Sequence, residues 1–255
     1  MKIINKGGFI MYTINDIKVT LLNKEEVKQF IKKHGEIACI CYDTDEKYAE
    51  KVGLSCMKEG HTSGSRGNYF IFEIECPRFT ADQSMRHEIG VFKNCQSQRY
   101  VDMDDNFSIY VPPKVMNDLV LKEEYQKAED MMKARYKVLR ACYNDMGITG
   151  EQANDLMRTL LPIGVKTKLR IGFTLEALQH FMHKRLCVRA DLPIRKVAEL
   201  MKQEVLNTDN RYEKMLVPQC ESMGYCPEKH TCGKEISKKE FNKILKEGKE
   251  KLKGE

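Results

Sequence analysis

Short apolar runs fill the first third of the chain, and helix-length patterns fill the last. Residues 17–22 (IKVTLL) read as a strand. Asn23 then stands at an N-cap position, with Glu25 and Glu26 in the first turn, near the positive end of the helix dipole. That helix is expected to end at His34-Gly35, because glycine is the usual C-terminal stop. Residues 37–42 (IACICY) form a short apolar run between turn signals, so a buried strand is expected. Residues 43–58 read as a helix ending near Gly60, and the Gly- and Ser-rich residues 60–68 (GHTSGSRGN) as a loop. The strand NYFIFEIEC follows, then a helix over residues 79–88. After Pro112-Pro113 come a long helical pattern over 119–143 and a second from Gly150 to Leu160. Thr149 is the N-cap of that second helix, and Pro162 stops it. Two more helices run over 173–186 and 192–206. Strands early and helices late imply an α+β fold, with mixed strands first and a helical second half.

Against this pattern, residues 83–100 (QSMRHEIGVFKNCQSQRY) stand out. They carry Arg86, His87, Lys93, Ser97, Arg99 and four Gln or Asn side chains, with few hydrophobic interruptions. A core segment would not hold so many donors, because unpaired buried polar groups are costly. Arginine offers a planar fork to phosphate or carboxylate, and histidine donates from either nitrogen. A solvated basic loop is the plainer alternative.

Composition changes the picture only modestly. With 255 residues and 42% apolar content, a sizeable core is feasible. The net charge of +6 favours anionic partners mildly, and much of it sits in the Lys-rich residues 234–253. No run of eighteen apolar residues exists, so no membrane-spanning helix is expected. MKIINKGGFIMY lacks the apolar stretch and cleavage site of a signal peptide, and Met11 offers an alternative start. The ten cysteines therefore read as reduced thiols of a cytoplasmic protein. Residues 1–216 are expected to form one catalytic domain, followed by a Cys-rich segment and basic tail over 217–255.

Candidate chemistry lies at several places. The loop at Gly60 presents His61, Ser63, Ser65 and Arg66, with glycines that let a ligand approach the backbone. No Gly-Lys-Ser/Thr follows, so it is not a Walker A loop, and a bland hairpin loop is the alternative. Arg158 and Arg185 each end a helix. On an ideal helix Thr174, Ala177, Phe181 and Arg185 share one face, while Glu176, His180 and His183 share roughly the opposite one. The second set has metal-ligand residue types without a fourth partner, and no metal is expected there. Cys220, Cys226, Cys232 and His230 are spaced more widely than structural zinc pairs, so ordinary thiols in a compact turn are favoured over a zinc clip. Cys95, flanked by Lys93 and Arg99, is weighed as a nucleophile and read instead as a small packing residue.

Taken in order, these pieces resemble the flavin-dependent thymidylate synthases. The resemblance is carried by Gly60-His61, by Gln83-Ser84-Met85-Arg86-His87, by Asn94 and by Ser97-Gln98-Arg99-Tyr100. It continues through Arg158-Thr159-Leu160-Leu161-Pro162, Phe181 to Arg185, and Ala190-Asp191-Leu192-Pro193-Ile194-Arg195. It covers roughly residues 50–205 and implies the fold of that family.

The resemblance implies reductive methylation of dUMP to dTMP with methylenetetrahydrofolate, FAD and NADPH, in a homotetramer whose sites form between subunits. It implies that Gln83, Arg86, Ser97, Arg99, Arg158 and Arg185 bind dUMP, with Arg185 stabilising negative charge on the pyrimidine. It implies that His61, Ser63, Arg86, His87, Thr174 and His180 contact FAD. The chain departs from the family pattern mostly on the flavin side. Glu88 and Glu176 replace arginines, and Arg66 replaces an acid, so compensating swaps around one cofactor are expected. Two rivals remain: a same-fold enzyme that modifies a pyrimidine nucleotide differently, as by hydroxymethylation, and an inactive nucleotide- or RNA-binding relative. Nucleic acid and membrane are not expected partners. No Pro-Cys-His tripeptide occurs, which disfavours the thymidylate synthase that uses a cysteine nucleophile.

Overall fold

The computed structural model describes residues 11–103 and 107–252. Most of the stretch MKIINKGGFIMY, on which no signal peptide is expected, lies outside them, as does the end of the Lys-rich run. Four strands, β1 (Lys18–Leu21), β2 (Phe70–Pro77), β3 (Val91–Cys95) and β4 (Lys166–Phe173), form one sheet in the order β1-β2-β4-β3. The helices are α1 (Lys24–Val27), α2 (Phe30–Cys41), α3 (Ala49–Lys58), α4 (Arg78–Ser84), α5 (Leu119–Asp145), α6 (Gly150–Met157), α7 (Leu175–Arg185), α8 (Leu192–Thr208), α9 (Gln219–Met223) and α10 (Lys238–Leu252). The fold is α+β, as expected.

Strands β3 and β4 pair antiparallel. Thr174 N donates to Gly90 O (2.9 Å) at one end and Gln96 N to Lys168 O (2.8 Å) at the other, so one strand rises as the other falls. Alternation explains the strands themselves. Phe70, Phe72, Ile74 and Cys76 of β2 are buried, as are Thr167, Leu169, Ile171 and Phe173 of β4. The opposite face carries charge pairs, Glu73 with Arg170 (2.9 Å) and Glu75 with Lys166 (2.5 Å).

Contacts divide the chain into two compact units. The first comprises the described residues up to Val19, Glu73–Arg86 and Lys93–Ile171. Its apolar cluster is Met103, Phe107, Tyr136, Met157 and Val165. Arg140 of α5 is buried beside it, donating to Asp102 (2.7 Å) and Asn154 (2.7 Å). The second comprises Thr20–Phe72, His87–Phe92 and Gly172–Glu255. Here Phe70 meets both Phe30 and Tyr212 edge-on, and Ile194, Val197, Ala198, Met201 and Val205 form the buried stripe of α8.

Five expectations need correction. Residues 37–42 are not a strand but the end of α2, because Ala38 and Cys39 are buried while Ile37 and Ile40 face outward, a helical rather than an all-round apolar pattern. Gly35 does not end that helix. A Cβ there would lie 1.6 Å from Ala49 O, and one on Gly53 would lie 2.1 Å from Ile31 O, so both glycines exist to let α2 and α3 approach. The helix expected over residues 79–88 stops at Ser84, and the chain turns through Gly90 at φ +70°, where a Cβ would meet Thr174 Oγ1 at 2.5 Å. Strands are not confined to the first part, since β4 lies between two helical stretches. Asn23 precedes α1 without a side-chain cap; its amide instead donates to Tyr69 O (2.8 Å) and accepts from Ile71 N (3.1 Å).

Candidate active site

In the second unit, residues 60–68 form the expected loop, with one tight turn at Ser63–Ser65. The turn faces Thr62 and Ser65 inward and leaves His61 and Ser63 exposed. Ser65 Oγ donates to Thr62 O (2.6 Å) and fixes the turn. His34 of α2 lies buried beneath it, close enough that a Cβ on Gly64 would meet its Nδ1 at 2.7 Å, and burial holds its pKa below the ordinary histidine value.

The charge swaps meet here. Arg66 Nε lies 3.2 Å from Glu176 Oε2, and Thr62 Oγ1 donates to Glu176 Oε1 at 2.6 Å. Glu176 sits in the first turn of α7, where the helix dipole also favours a carboxylate. The Thr62 hydroxyl, then Arg66, hold its pKa below the ordinary glutamate value. Thr62 was not singled out from the sequence; its signal was only its place beside the candidate His61.

Further along α7 stands a second group. Arg185 Nε donates to His87 Nε2 at 3.3 Å, which requires that nitrogen to carry a lone pair. The His87 ring also packs on Phe181 (4.9 Å between centroids) and on His180 (5.6 Å). Three residues 98 and 93 positions apart in sequence are thus joined, His87 with Arg185 and His180. Burial, then His180 and Lys184, lower the pKa of His183 on the same helix. Thr174 is buried and its hydroxyl caps α7, accepting from Ala177 N (3.3 Å).

The first unit holds the other candidates. Gln83 lies in α4, and Arg86 is exposed just after it. Ser97 Oγ accepts from Arg99 N (3.3 Å), and the exposed Arg99 guanidinium lies 5.6 Å from the Tyr100 ring centroid. Arg158 pairs with Asp155 (2.9 Å). Cys95 Sγ accepts from Arg78 Nη1 (3.4 Å) and lies 3.7 Å from Thr167 Oγ1, a packed and hydrogen-bonded position.

Among the described residues no three His, Cys, Asp or Glu side chains are grouped to hold a metal ion. Glu176 is engaged by Thr62 and Arg66 rather than by the histidines of α7. Among the described residues no helix is long and apolar enough to cross a membrane.

The chain is similar to several known proteins. Residues 23–208 match the family described as thymidylate synthase complementing protein. A flavin-dependent thymidylate synthase of Nitratidesulfovibrio vulgaris is 32% identical over 191 residues, covering 72% of this chain and 77% of that one. One from Pyrococcus furiosus is 33% identical over 193 residues, covering 72% and 75%. Among solved structures, the UMP/dUMP methylase PolB from Streptomyces cacaoi bound with 5-Br UMP has the same fold. Its TM-score is 0.56 at 18% identity, over 81% of this chain and 97% of that one.

Proposed function

From the premise that this chain belongs to the flavin-dependent thymidylate synthase family, we propose that it methylates dUMP reductively to dTMP. In this reading methylenetetrahydrofolate supplies the one-carbon unit and NADPH the reducing equivalents. The observation that carries the proposal is the family match across residues 23–208, which spans every motif from His61 to Arg195.

Membership implies FAD, and the donor set suits it. His61 and Ser63 stand exposed on a turn stiffened by Ser65 and Thr62, offering an imidazole and a hydroxyl to a phosphate or a ring edge. We assign His61, Ser63, Arg86, His87, Thr174 and His180 to the flavin. When bound, the flavin supplies the hydride chemistry; the protein orients and polarises.

The nucleotide is assigned to Gln83, Arg86, Ser97, Arg99, Arg158 and Arg185. Arginine forks suit both the phosphate and the uracil carbonyls. Arg185 is the residue assigned to catalysis. Its guanidinium remains charged at any working pH and stabilises negative charge that develops on the pyrimidine as carbon is added. His87 holds it by accepting from Nε. No protein nucleophile is required, in keeping with the packed position of Cys95 between Arg78 and Thr167.

The test is the visible absorption spectrum of the purified protein, before and after FAD and then dUMP. Flavin bands that shift on adding dUMP are expected. A protein that takes up no flavin with both ligands in excess would sink the proposal and favour an inactive nucleotide-binding relative. Product analysis with labelled methylenetetrahydrofolate separates methylation from hydroxymethylation.

A further inference from the structure

The family match ends at residue 208, yet a later segment forms one wall of a cavity of about 450 Å3 that contains Arg185. That volume is in the range of small-molecule sites. His87, His183, Lys184 and Arg185 line one side, with Cys187 and Arg189 from the turn after α7. Gln219, Cys220, Cys226, Glu228, His230 and Cys232 line the other.

The wall is braced. Lys184 Nζ donates to Gln219 Oε1 (3.1 Å), and Arg189 Nη1 lies 3.4 Å from Glu228 Oε2. Gly224 turns the chain at φ +69° after α9, a conformation that favours glycine. Cys226 N then donates to Ile236 O (2.7 Å), and the Tyr225 and Phe241 rings stack 4.9 Å apart. Val217, just before α9, is buried and anchors the start of the segment.

The charge is one-sided. Lys184, Arg185 and Arg189 face the cavity with a single carboxylate, Glu228, which is already paired with Arg189. Burial, then His180 and Lys184, disfavour a charge on His183. A partly enclosed concavity with excess cationic charge attracts anions, and its field is screened less than at an open surface.

We infer that this cavity receives the anionic group, phosphate or carboxylate, of a ligand that reaches Arg185, and that the Cys-rich segment after residue 208 closes it. The inference rests on the proposed function only for the ligand's identity: a phosphate would come from dUMP, a carboxylate from the reduced folate.

The cavity thiols give a direct readout. FAD-loaded protein is alkylated with iodoacetamide and the rate at each cysteine is followed by mass spectrometry. The exposed Cys41 and Cys142, absent from the cavity lining, serve as internal controls. A ligand at ten times its Kd should slow alkylation of Cys187 and Cys220 about tenfold if the bound cavity is closed. The arms are dUMP, methylenetetrahydrofolate and inorganic phosphate. Lys184→Ala and Arg189→Ala should shift protection to higher ligand concentration while Cys41 and Cys142 react as before. If dUMP shifts the flavin bands but neither it, the folate nor phosphate protects the cavity thiols, the inference fails and the proposed function stands. If phosphate or folate protects while dUMP neither shifts the bands nor protects, the cavity stands and the dUMP reading fails.

Discussion

At the scale of single residues, Glu176 and Arg66, the two positions where the resemblance implies exchanged charges, form an ion pair. The carboxylate on α7 and the guanidinium in the loop lie 3.2 Å apart. Arg66→Glu should therefore weaken FAD binding roughly three- to tenfold, the reach of about 1 kcal/mol of pair energy plus like-charge repulsion. The double variant Arg66→Glu/Glu176→Arg should recover most of it. Flavin titration checks both, and a double variant no better than the single one would refute the pairing. The pH dependence has a definite sign. The folded state holds the Glu176 pKa below its ordinary value, so its contribution is present above the ordinary glutamate range. It is lost as pH falls through the lowered folded value, and Glu176→Gln should flatten that part of the stability curve against pH. The swap was legible in sequence as two anomalies. Their contact, and the Thr62 hydroxyl that joins them, belong to the tertiary structure.

At the scale of elements, the α2–α3 pair is built on two glycines. Gly35→Ala would put its Cβ 1.6 Å from the Ala49 carbonyl oxygen, a backbone atom that cannot rotate away. The helices must separate, at a cost of about 3 kcal/mol, the upper end of ordinary overpacking. Denaturant unfolding should show the loss, and an unchanged midpoint would mean that the helices do not meet there. The local signals at this place pointed the wrong way. A glycine after histidine reads as a stop, and IACICY reads as a strand, because sequence alone does not say that a glycine's missing side chain is filled by another helix. Strand β4 was missed in the sequence, although Thr167, Leu169 and Ile171 alternate there with Lys168 and Arg170; a period-two pattern this short between helices does not stand out until β2 is seen beside it. Helices α7 and α8 were legible from their periodicity and differ from expectation by only a few residues at their ends.

At the scale of the whole molecule, the 27-residue helix α5 leaves Leu119, Val120, Met131 and Val138 more than half exposed. Apolar surface of this kind suits an interface between copies of the chain. For the homotetramer that the resemblance implies, light scattering should give four times the mass of one chain. A monomer that still binds FAD and dUMP would exclude shared sites.

The sequence by itself determined the family, the ordered motif residues and most helices, because these rest on local chemistry: residue type, spacing and period. It also marked His61, His87, His180 and Arg185 one by one. Only the tertiary structure decided that Arg185 donates to His87, that Arg66 meets Glu176, and that Cys187 and Arg189 share a cavity with a segment that begins at Gln219. The reason is physical: a hydrogen bond or an enclosed charge depends on distance in space. Chain separation does not encode that distance until the helices and strands have packed.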